Sequence, residues 1–194
     1  IVYGKNNNNL SPKEYNSFKK IDSVNKLQRN YCAVKRFGEK EIIKLGKKKI
    51  KVSIVRLYSF IGPKIQLDRH FLIGNIIDNI IKKKKDKIIL KSEFFRSYMH
   101  SDDLIFYILK IVKLSNHSCP IYNIGSDQII NEKMILRYFN KVVSSSKKKL
   151  KKINVDYYVP NILKLRYKFS IKKKFDFKKD LNMTLKSFKI PEIV

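Results

Sequence analysis

The sequence predicts an α/β fold in which helices pack against a sheet that is parallel in its main part. Short β-branched runs alternate with longer segments of helical periodicity along the chain. Helices between consecutive strands are the connections that parallel strands require. The chain has 194 residues, of which 43% are hydrophobic, and this is enough for one packed core.

The helices are predicted from apolar residues that recur three and four positions apart. They comprise residues 24–45, 68–81, 104–114, 132–143, 160–169 and 177–188. The strands are predicted from short apolar or β-branched runs. They comprise residues 51–60, 88–90, 121–124 and 153–158, with a strand end at residues 1–4 and an extended segment at residues 93–99. We expect residues 144–152 to be a linker.

Residues at the ends of these segments support the assignments. Gly46 is a typical helix stop after the first helix, and Asn131 is a typical cap before the helix that starts at residue 132. Asp102 and Asp103 begin another helix, where carboxylates suit the positive end of the helix dipole. We therefore interpret these two carboxylates as helix-start residues and not as a metal site.

The formal net charge of +28 allows two interpretations. A charge of this size is typical of proteins that bind nucleic acid or an anionic membrane surface. However, lysines far outnumber arginines, and lysine, asparagine and isoleucine are enriched together, as an AT-rich genome would produce. Dedicated nucleic-acid surfaces favour arginine, whose guanidinium forms forked hydrogen bonds. We favour a solvated surface, and a polyanion-binding protein without catalysis, on RNA or a membrane surface, is the alternative.

Several classes of protein are disfavoured by what the sequence does not contain. It has no apolar run long enough for a membrane span and no signal-peptide pattern. Cys32 and Cys119 have neither CxxC spacing nor neighbouring histidines, so we expect no disulfide framework or zinc site and a reducing, cytoplasmic setting. The six glycines form no GxGxxG or GKS/T phosphate loop.

The pattern Tyr-x-x-x-Lys occurs twice, at Tyr31–Lys35 and at Tyr15–Lys19. On a helix this spacing puts the phenol and the ammonium on one face. A neighbouring ammonium favours the phenolate, and a tyrosine activated in this way can exchange a proton with a sugar or alcohol hydroxyl. In a chain so rich in tyrosine and lysine, about two matches are expected by chance. The pattern alone therefore does not choose between the two positions.

The order of five segments carries more information than any one of them. The segments are residues 1–4 (IVYG), 31–35 (YCAVK, continued by Arg36 and Glu39), 55–63 (VRLYSFIGP), 96–104 (RSYMHSDDL) and 122–125 (YNIG). In this order and spacing the chain resembles the extended short-chain dehydrogenase/reductase family, the NAD-dependent epimerase/dehydratase enzymes that act on nucleotide sugars. Because Tyr31 lies at the family's distance before the Arg56 strand, the resemblance favours Tyr31 over Tyr15.

The resemblance implies the C-terminal half of a Rossmann-type fold with a small α/β substrate-binding lobe. The family's Gly-rich βαβ unit, and its catalytic Ser or Thr, would lie upstream of Ile1, so we expect a fragment that is inactive by itself. Residues 1–65 are expected to be the remaining part of the NAD-binding domain. Residues 66–194 are expected to be mainly the nucleotide-sugar lobe, with some elements that return to the Rossmann core.

The same resemblance implies roles for six residues. Tyr31 would be the catalytic acid/base, and Lys35 would bind the nicotinamide ribose of NAD or NADP and activate Tyr31. Tyr58 would contact the nicotinamide end. Ser59, Asn75 and Arg96 would contact the diphosphate of the nucleotide sugar, although many members have Asn at the Ser59 position.

The resemblance further implies a homodimer that forms through the Tyr31 helix. It leaves the reaction open among epimerisation, dehydration, decarboxylation and reduction.

Overall fold

The computed structural model describes residues 26–67, 71–90, 93–145 and 156–192. Residues 1–4, the Tyr15–Lys19 pair and most of the linker predicted for residues 144–152 lie outside these ranges. The helices are α1 (Lys26–Lys47), α2 (Leu72–Ile81), α3 (Ser101–Val112), α4 (Glu132–Phe139), α5 (Leu163–Phe169) and α6 (Phe177–Ser187). The strands are β1 (Ile54–Leu57), β2 (Phe60–Ile61), β3 (Ile88–Leu90), β4 (Phe94–Arg96), β5 (Met99–His100), β6 (Ile121–Ile124), β7 (Ile130–Asn131), β8 (Val143–Ser145) and β9 (Asp156–Tyr158).

The described strands pair mostly in parallel. Strand β1 pairs with β6, β2 with β5, β3 with β8 and β4 with β9, all in parallel. Strand β7 adds to the other side of β4 in the antiparallel direction. Between paired strands such as β1 and β6 the chain passes through helices, as parallel pairing requires. The predicted α/β class with a mainly parallel sheet is confirmed.

The buried apolar residues form two clusters. One is built around Ile73, Ile76 and Ile77 of α2 and includes Phe177 and Leu181 of α6. The other lies between α3, β6 and α5. Its members are Met99, Leu104, Tyr107, Ile111, Tyr122, Ile124, Ile162, Leu165 and Phe175. Each cluster draws on segments far apart in the sequence, so these segments are held together by burial of apolar surface.

A buried ion pair holds α1 against the sheet. The Arg56 guanidinium donates from Nε and Nη2 to the two carboxylate oxygens of Glu39, at 2.7 and 2.6 Å. The Arg56 side chain is 3% exposed and the Glu39 side chain 11%. A bidentate pair of this kind fixes both distance and orientation. It sets the position of α1 relative to strand β1.

The C-terminal end of α1 packs against a loop. A Cβ atom at Gly46 would lie 2.6 Å from the backbone oxygen of His117, so only glycine allows this approach. Burial raises the pKa of the nearby Cys119 thiol, and the negative charge of Glu39 adds to the effect. The end of α1 and the loop before β6 therefore form one packed unit.

Several predicted boundaries are wrong, for local reasons. The strand predicted for residues 51–60 is interrupted after Leu57, because the chain changes partner there from β6 to β5. The helix predicted for residues 132–143 ends at Phe139, and Val143–Ser145 forms β8, so the linker prediction is wrong at its first residues. Branching at Cβ favours strand over helix at Val143, where β8 begins.

Two helices begin later than predicted. The helix predicted from residue 160 begins at Leu163, because the Asn161 side chain accepts a hydrogen bond from the Leu163 N–H in a turn. Helix α2 begins at Leu72, and residues 68–70 lie outside the described ranges. Of the helices described, none combines the length and apolar character that a bilayer crossing needs.

We predict that Glu39→Gln lowers the free energy of unfolding by about 3 kcal/mol, because it removes the carboxylate that pairs with the buried charge of Arg56. Urea denaturation followed by circular dichroism measures the change. The matched control is Glu41→Gln on the same helix, since the Glu41–Lys44 pair is exposed and should contribute less than about 1 kcal/mol. Equal effects of the two variants would contradict the anchoring role of Glu39.

Candidate active site

Tyr31 and Lys35 lie on one face of α1, as their spacing predicts. The Lys35 Nζ atom is 5.4 Å from the centroid of the Tyr31 ring. Tyr31 is 48% exposed, and Lys35 is exposed as well. The phenol and the ammonium therefore stand together and are accessible to a ligand. Glu39, one turn after Lys35, ties this helix to Arg56.

Tyr58 lies where the two parallel strands β1 and β6 end. Its backbone N–H donates to the oxygen of Ile124 at 3.0 Å, so it extends the pairing by one residue. The Tyr58 side chain is buried. Gly125 follows β6, and a Cβ atom there would lie 2.9 Å from the Cβ of Tyr58 and from Cγ of Pro160. Ligands bind at the carboxyl ends of parallel strands in folds of this class, so Tyr58 is in a suitable position.

Arg96 is connected to Tyr58 through a residue that the sequence did not single out for the site. Arg96 on β4 is the register partner of Tyr158 on β9. The Tyr158 ring in turn stacks on the Tyr58 ring, with centroids 4.6 Å apart and planes at 27°. The structure therefore brings Tyr58, Tyr158 and Arg96 into one row. We refer to these three residues as the aromatic–arginine row.

Ser59 and Asn75 occupy different settings. Ser59 follows Tyr58, and its backbone oxygen accepts a hydrogen bond from the Met99 N–H at 3.2 Å. Ser59 thus joins the end of β1 to the segment that follows Arg96. Asn75 lies in the first half of α2, is partly buried, and makes the helical hydrogen bond from its N–H to the oxygen of Phe71. Ser59 is adjacent to the aromatic–arginine row, whereas Asn75 is on a separate element.

A buried carboxyl group supports the segment that follows Arg96. Asp180 on α6 is 4% exposed and accepts a hydrogen bond from the backbone N–H of His100 at 3.2 Å. Burial raises the pKa of Asp180, and the charge of Asp103 adds to the rise. The charges of His100 and Lys173 act in the opposite direction. Asp180 therefore holds the backbone of β5 in place at an electrostatic cost.

The first turn of α3 agrees with the prediction for Asp102 and Asp103. His100 is the N-cap, and its Nδ1 atom accepts a hydrogen bond from the Asp102 N–H. Asp103 forms an ion pair with Lys173. Within the described ranges, no group of three or more His, Cys, Asp or Glu side chains is placed to hold a metal ion. These two carboxylates are helix-start residues.

The sequence did not single out Tyr158 or Asp180, which the structure places beside candidate site residues. Tyr158 ends a predicted strand, and residues at the carboxyl ends of parallel strands meet at one sheet edge. The position of Tyr158 at the end of a predicted strand was therefore the feature of the sequence that could have indicated it. Asp180 lies inside an amphipathic helix, and only its position among buried apolar neighbours distinguishes it from a solvated carboxylate. The sequence contains no comparable signal for Asp180.

The donors at this edge suit an organic ligand with anionic groups. An exposed phenol beside an ammonium can exchange a proton with a hydroxyl group. An arginine fork suits phosphate oxygens. The Tyr31–Lys35 face therefore offers a group for proton exchange, and Arg96 offers N–H donors to an anionic group.

Comparisons with known proteins agree with this fold. A sequence model of the NAD dependent epimerase/dehydratase family matches residues 1–125. UDP-glucose 4-epimerase from Thermotoga maritima, solved with UDP-glucose, is 16% identical over 96% of this chain and 60% of its own, with a TM-score of 0.75. The dTDP-glucose 4,6-dehydratase from Streptomyces venezuelae, solved with NAD and TYD, is 18% identical over 97% and 57%, with a TM-score of 0.71. No curated protein sequence matches the chain.

At these identities the structural likeness shows the fold alone. The dTDP-glucose 4,6-dehydratase from Bacillus anthracis, solved with NAD, gives a similar result at 16% identity and a TM-score of 0.70. The chain spans between 52% and 62% of the lengths of eight solved structures similar to it. The predicted Rossmann-type fold of the extended short-chain dehydrogenase/reductase kind is confirmed, and so is the predicted family.

We predict that Asp180→Asn stabilises the protein at neutral pH, because the amide keeps the acceptor for the His100 N–H and removes a buried charge. The folded-state pKa of Asp180 is raised. The favourable contribution of the Asp180 side chain to stability is therefore complete below its unfolded-state pKa of about 4. This contribution is lost as pH rises through its folded-state pKa. Urea denaturation at neutral pH and at about pH 3 measures the difference in unfolding free energy between wild type and Asp180→Asn at both limits.

The gain from Asp180→Asn should shrink to nothing at the acidic limit. Asp86→Asn is the control, because Asp86 is exposed, and it should change stability little at either pH. A stability difference between wild type and Asp180→Asn that is the same at both pH values would show that burial of the charge is not the cause.

Proposed function

Because the chain belongs to the NAD-dependent epimerase/dehydratase family, we propose that it carries the acid/base pair and the substrate-binding part of an enzyme that acts on nucleotide-diphosphate sugars. The reaction is a transient or net hydride transfer at a sugar carbon. One observation carries the proposal: a helix bearing an exposed Tyr31–Lys35 pair is fixed, through Glu39 and Arg56, to the strand that ends at Tyr58. This contact supports a link between the proposed proton-transfer group and the strand that precedes Tyr58.

Tyr31 is the catalytic acid/base in this proposal. Its phenol exchanges a proton with a sugar hydroxyl or carbonyl oxygen, which general acid–base catalysis accelerates by about 10² to 10⁴-fold. Lys35 supports the phenolate through its charge and holds the nicotinamide ribose. NAD or NADP, when bound, supplies a site that accepts or returns a hydride. The Tyr58 backbone lines the nicotinamide end.

Arg96 binds the diphosphate of the nucleotide sugar in this proposal. Its fork of N–H donors is suited to paired phosphate oxygens. Ser59 lies beside Tyr58 and reaches the same ligand, and Asn75 contributes from α2. The named substrates of the structural relatives, UDP-glucose and dTDP-glucose, are the substrates to test first.

The proposal includes a division of the chain at about residue 65. Residues 1–65 belong to the cofactor-binding domain, and residues 66–194 form mainly the nucleotide-sugar lobe. The parallel pairing of β1 with β6 supports the return of residues 121–124 to the cofactor-binding domain. The two apolar clusters support it as well, since one contains α2 and α6 and the other contains β6, α3 and α5.

We also propose that two copies associate through α1. Val34 and Phe37, three residues apart on this helix, are 67% and 64% exposed. Exposed apolar side chains at helical spacing present a surface on which a second helix can pack.

We predict that Tyr31→Phe lowers turnover of UDP-glucose or dTDP-glucose by at least about a hundredfold, because it removes the exchangeable proton. The measurement uses the protein expressed from the complete reading frame that contains this chain. NAD binding, followed by the quenching of intrinsic fluorescence, should change less than about twofold, since the ring remains.

The control for this variant is Tyr167→Phe, because Tyr167 is 91% exposed and lies on α5. Unchanged turnover in Tyr31→Phe would reject the catalytic role. It would favour the polyanion-binding alternative if the protein also bound RNA or anionic vesicles with a strong dependence on salt.

We predict that Val34→Glu raises the dissociation constant of the homodimer by at least about tenfold, because it places an unpaired carboxylate in an apolar interface. Sedimentation velocity over a range of protein concentrations measures the change. Val112→Glu is the matched control, since Val112 is 59% exposed and lies on α3. A wild-type protein that is monomeric throughout the range, or an equal effect of both variants, is the contrary result.

A further inference from the structure

His100 occupies the point where β5 ends and α3 begins. It is the last residue of β5 and the N-cap of α3, and its side chain is 5% exposed. Strand β5 pairs with β2, and the preceding Met99 donates its N–H to the backbone oxygen of Ser59. Helix α6 contacts His100 as well, because the Asp180 carboxylate accepts the His100 N–H at 3.2 Å. A change at His100 therefore acts where α3, α6 and β2 meet.

One nitrogen atom of the His100 ring has a donor and an acceptor at almost the same distance. The backbone N–H of Asp102 donates to Nδ1, with 3.3 Å between the two nitrogen atoms. The Oδ2 atom of the Asp102 carboxylate lies 3.4 Å from the same Nδ1 atom. An imidazole nitrogen without a proton accepts a hydrogen bond, whereas a protonated one donates. A single proton on Nδ1 therefore decides which of the two groups it binds.

The second ring nitrogen of His100 offers no alternative contact. Nε2 is buried, and within the part of the chain that the structure describes it has no hydrogen-bond partner. In the neutral ring Nε2 carries the proton, because Nδ1 accepts a bond. The hydrogen bonds of the ring are thus made on the Nδ1 side. Without the N–H of Asp102, the ring depends on the carboxylate of the same residue.

Charged groups from α3, from α6 and from the segment between α5 and α6 lie around this junction. Helix α3 contributes Asp102 and Asp103, and α6 contributes Asp180. Lys173 precedes α6, forms an ion pair with Asp103 and acts on the charge of Asp180 as well. Strand β2, which pairs with β5, contributes no charged residue. Among these described groups, carboxylates outnumber cations.

We propose that the junction of β5 and α3 is a pH-dependent switch, in which a proton on Nδ1 of His100 exchanges the cap of α3 for an ion pair with the Asp102 carboxylate. Histidine is the side chain that ordinarily changes its charge between about pH 5 and 8. At the upper end of this range, the neutral ring accepts the Asp102 N–H and caps α3. At the lower end, the ring takes a proton from the solvent and donates it to the exposed carboxylate, so the first turn of α3 loses its side-chain cap.

The contact of β5 with α6 is expected to survive this change. Burial raises the pKa of Asp180, and a charge on His100 acts against this rise. The protonated ring therefore favours the ionised form of Asp180. An ionised carboxylate binds the His100 N–H more strongly than a neutral carboxyl group does. Acidification should thus loosen the start of α3 and leave β5 in place.

Hydrogen–deuterium exchange read by mass spectrometry tests the switch in the protein expressed from the complete reading frame that contains this chain. Exchange is measured over a series from about pH 8 to about pH 5. Each rate is divided by the intrinsic rate of the same amides at that pH. We expect protection of residues 101–106 to fall about fivefold on acidification, which is the effect of losing one N-cap. Protection of α5 should change less than about twofold.

Two variants separate the switch from other effects of pH. Asparagine caps helices and does not titrate in this range, so His100→Asn should give α3 the same protection throughout the series. Asp102→Asn removes the carboxylate and keeps the backbone N–H. The midpoint of the change should therefore move to lower pH by about half a unit. The control is His117→Asn in the exposed loop before β6, which should keep the wild-type response.

A wild-type protein whose α3 keeps the same protection throughout the series would overturn the proposal. A loss of protection that persists in His100→Asn has the same meaning. Should that variant fail to fold, Asp102→Asn decides, because the Asp102 side chain is 73% exposed. A midpoint that Asp102→Asn leaves unchanged shows that the ion pair does not form. None of these results bears on the catalytic role proposed for Tyr31.

Discussion

The buried ion pair between Arg56 and Glu39 joins two parts of the candidate site. One part is the Tyr31–Lys35 face of α1, and the other is strand β1, which Tyr58 follows. Burying two charges is costly, so the pair adds little to net stability compared with apolar packing. What it supplies is geometry, because a guanidinium fork accepts a carboxylate in one orientation. The position of the Tyr31–Lys35 face relative to β1 depends on this contact.

The candidate site is formed largely by residues that end a strand or directly follow one. Tyr58 follows β1, Gly125 follows β6, and Arg96 and Tyr158 end β4 and β9. Parallel pairing brings Tyr58 to Gly125 in one sheet and Arg96 to Tyr158 in another, and the stacked rings of Tyr58 and Tyr158 join the two pairs. A glycine after β6 lets the backbone approach Tyr58, and this contact fixes the ring on which Tyr158 stacks. The site is therefore a consequence of topology more than of any local motif.

The sequence predicted the long, strongly periodic elements well, and α1 and α6 lie within two residues of their predicted ends. It failed for β7 and β8, which have two and three residues and are strands only because β4 and β3 offer them hydrogen bonds. It placed Tyr31 beside Lys35 correctly, since four-residue spacing fixes that contact on any helix. It could not find Tyr158 beside Arg96, because their register is set by pairing between segments about sixty residues apart.

The close backbone approach at Gly125 is related to the amino-acid composition of the chain. Glycine codons are rich in G, whereas those of lysine, asparagine and isoleucine are rich in A and T. A base composition that favours the latter also disfavours glycine. Four of the five described glycines (Gly46, Gly62, Gly74 and Gly125) would bring a Cβ within 3 Å of a neighbouring atom. In this chain the described glycines therefore lie mainly where the backbone has little room for a side chain.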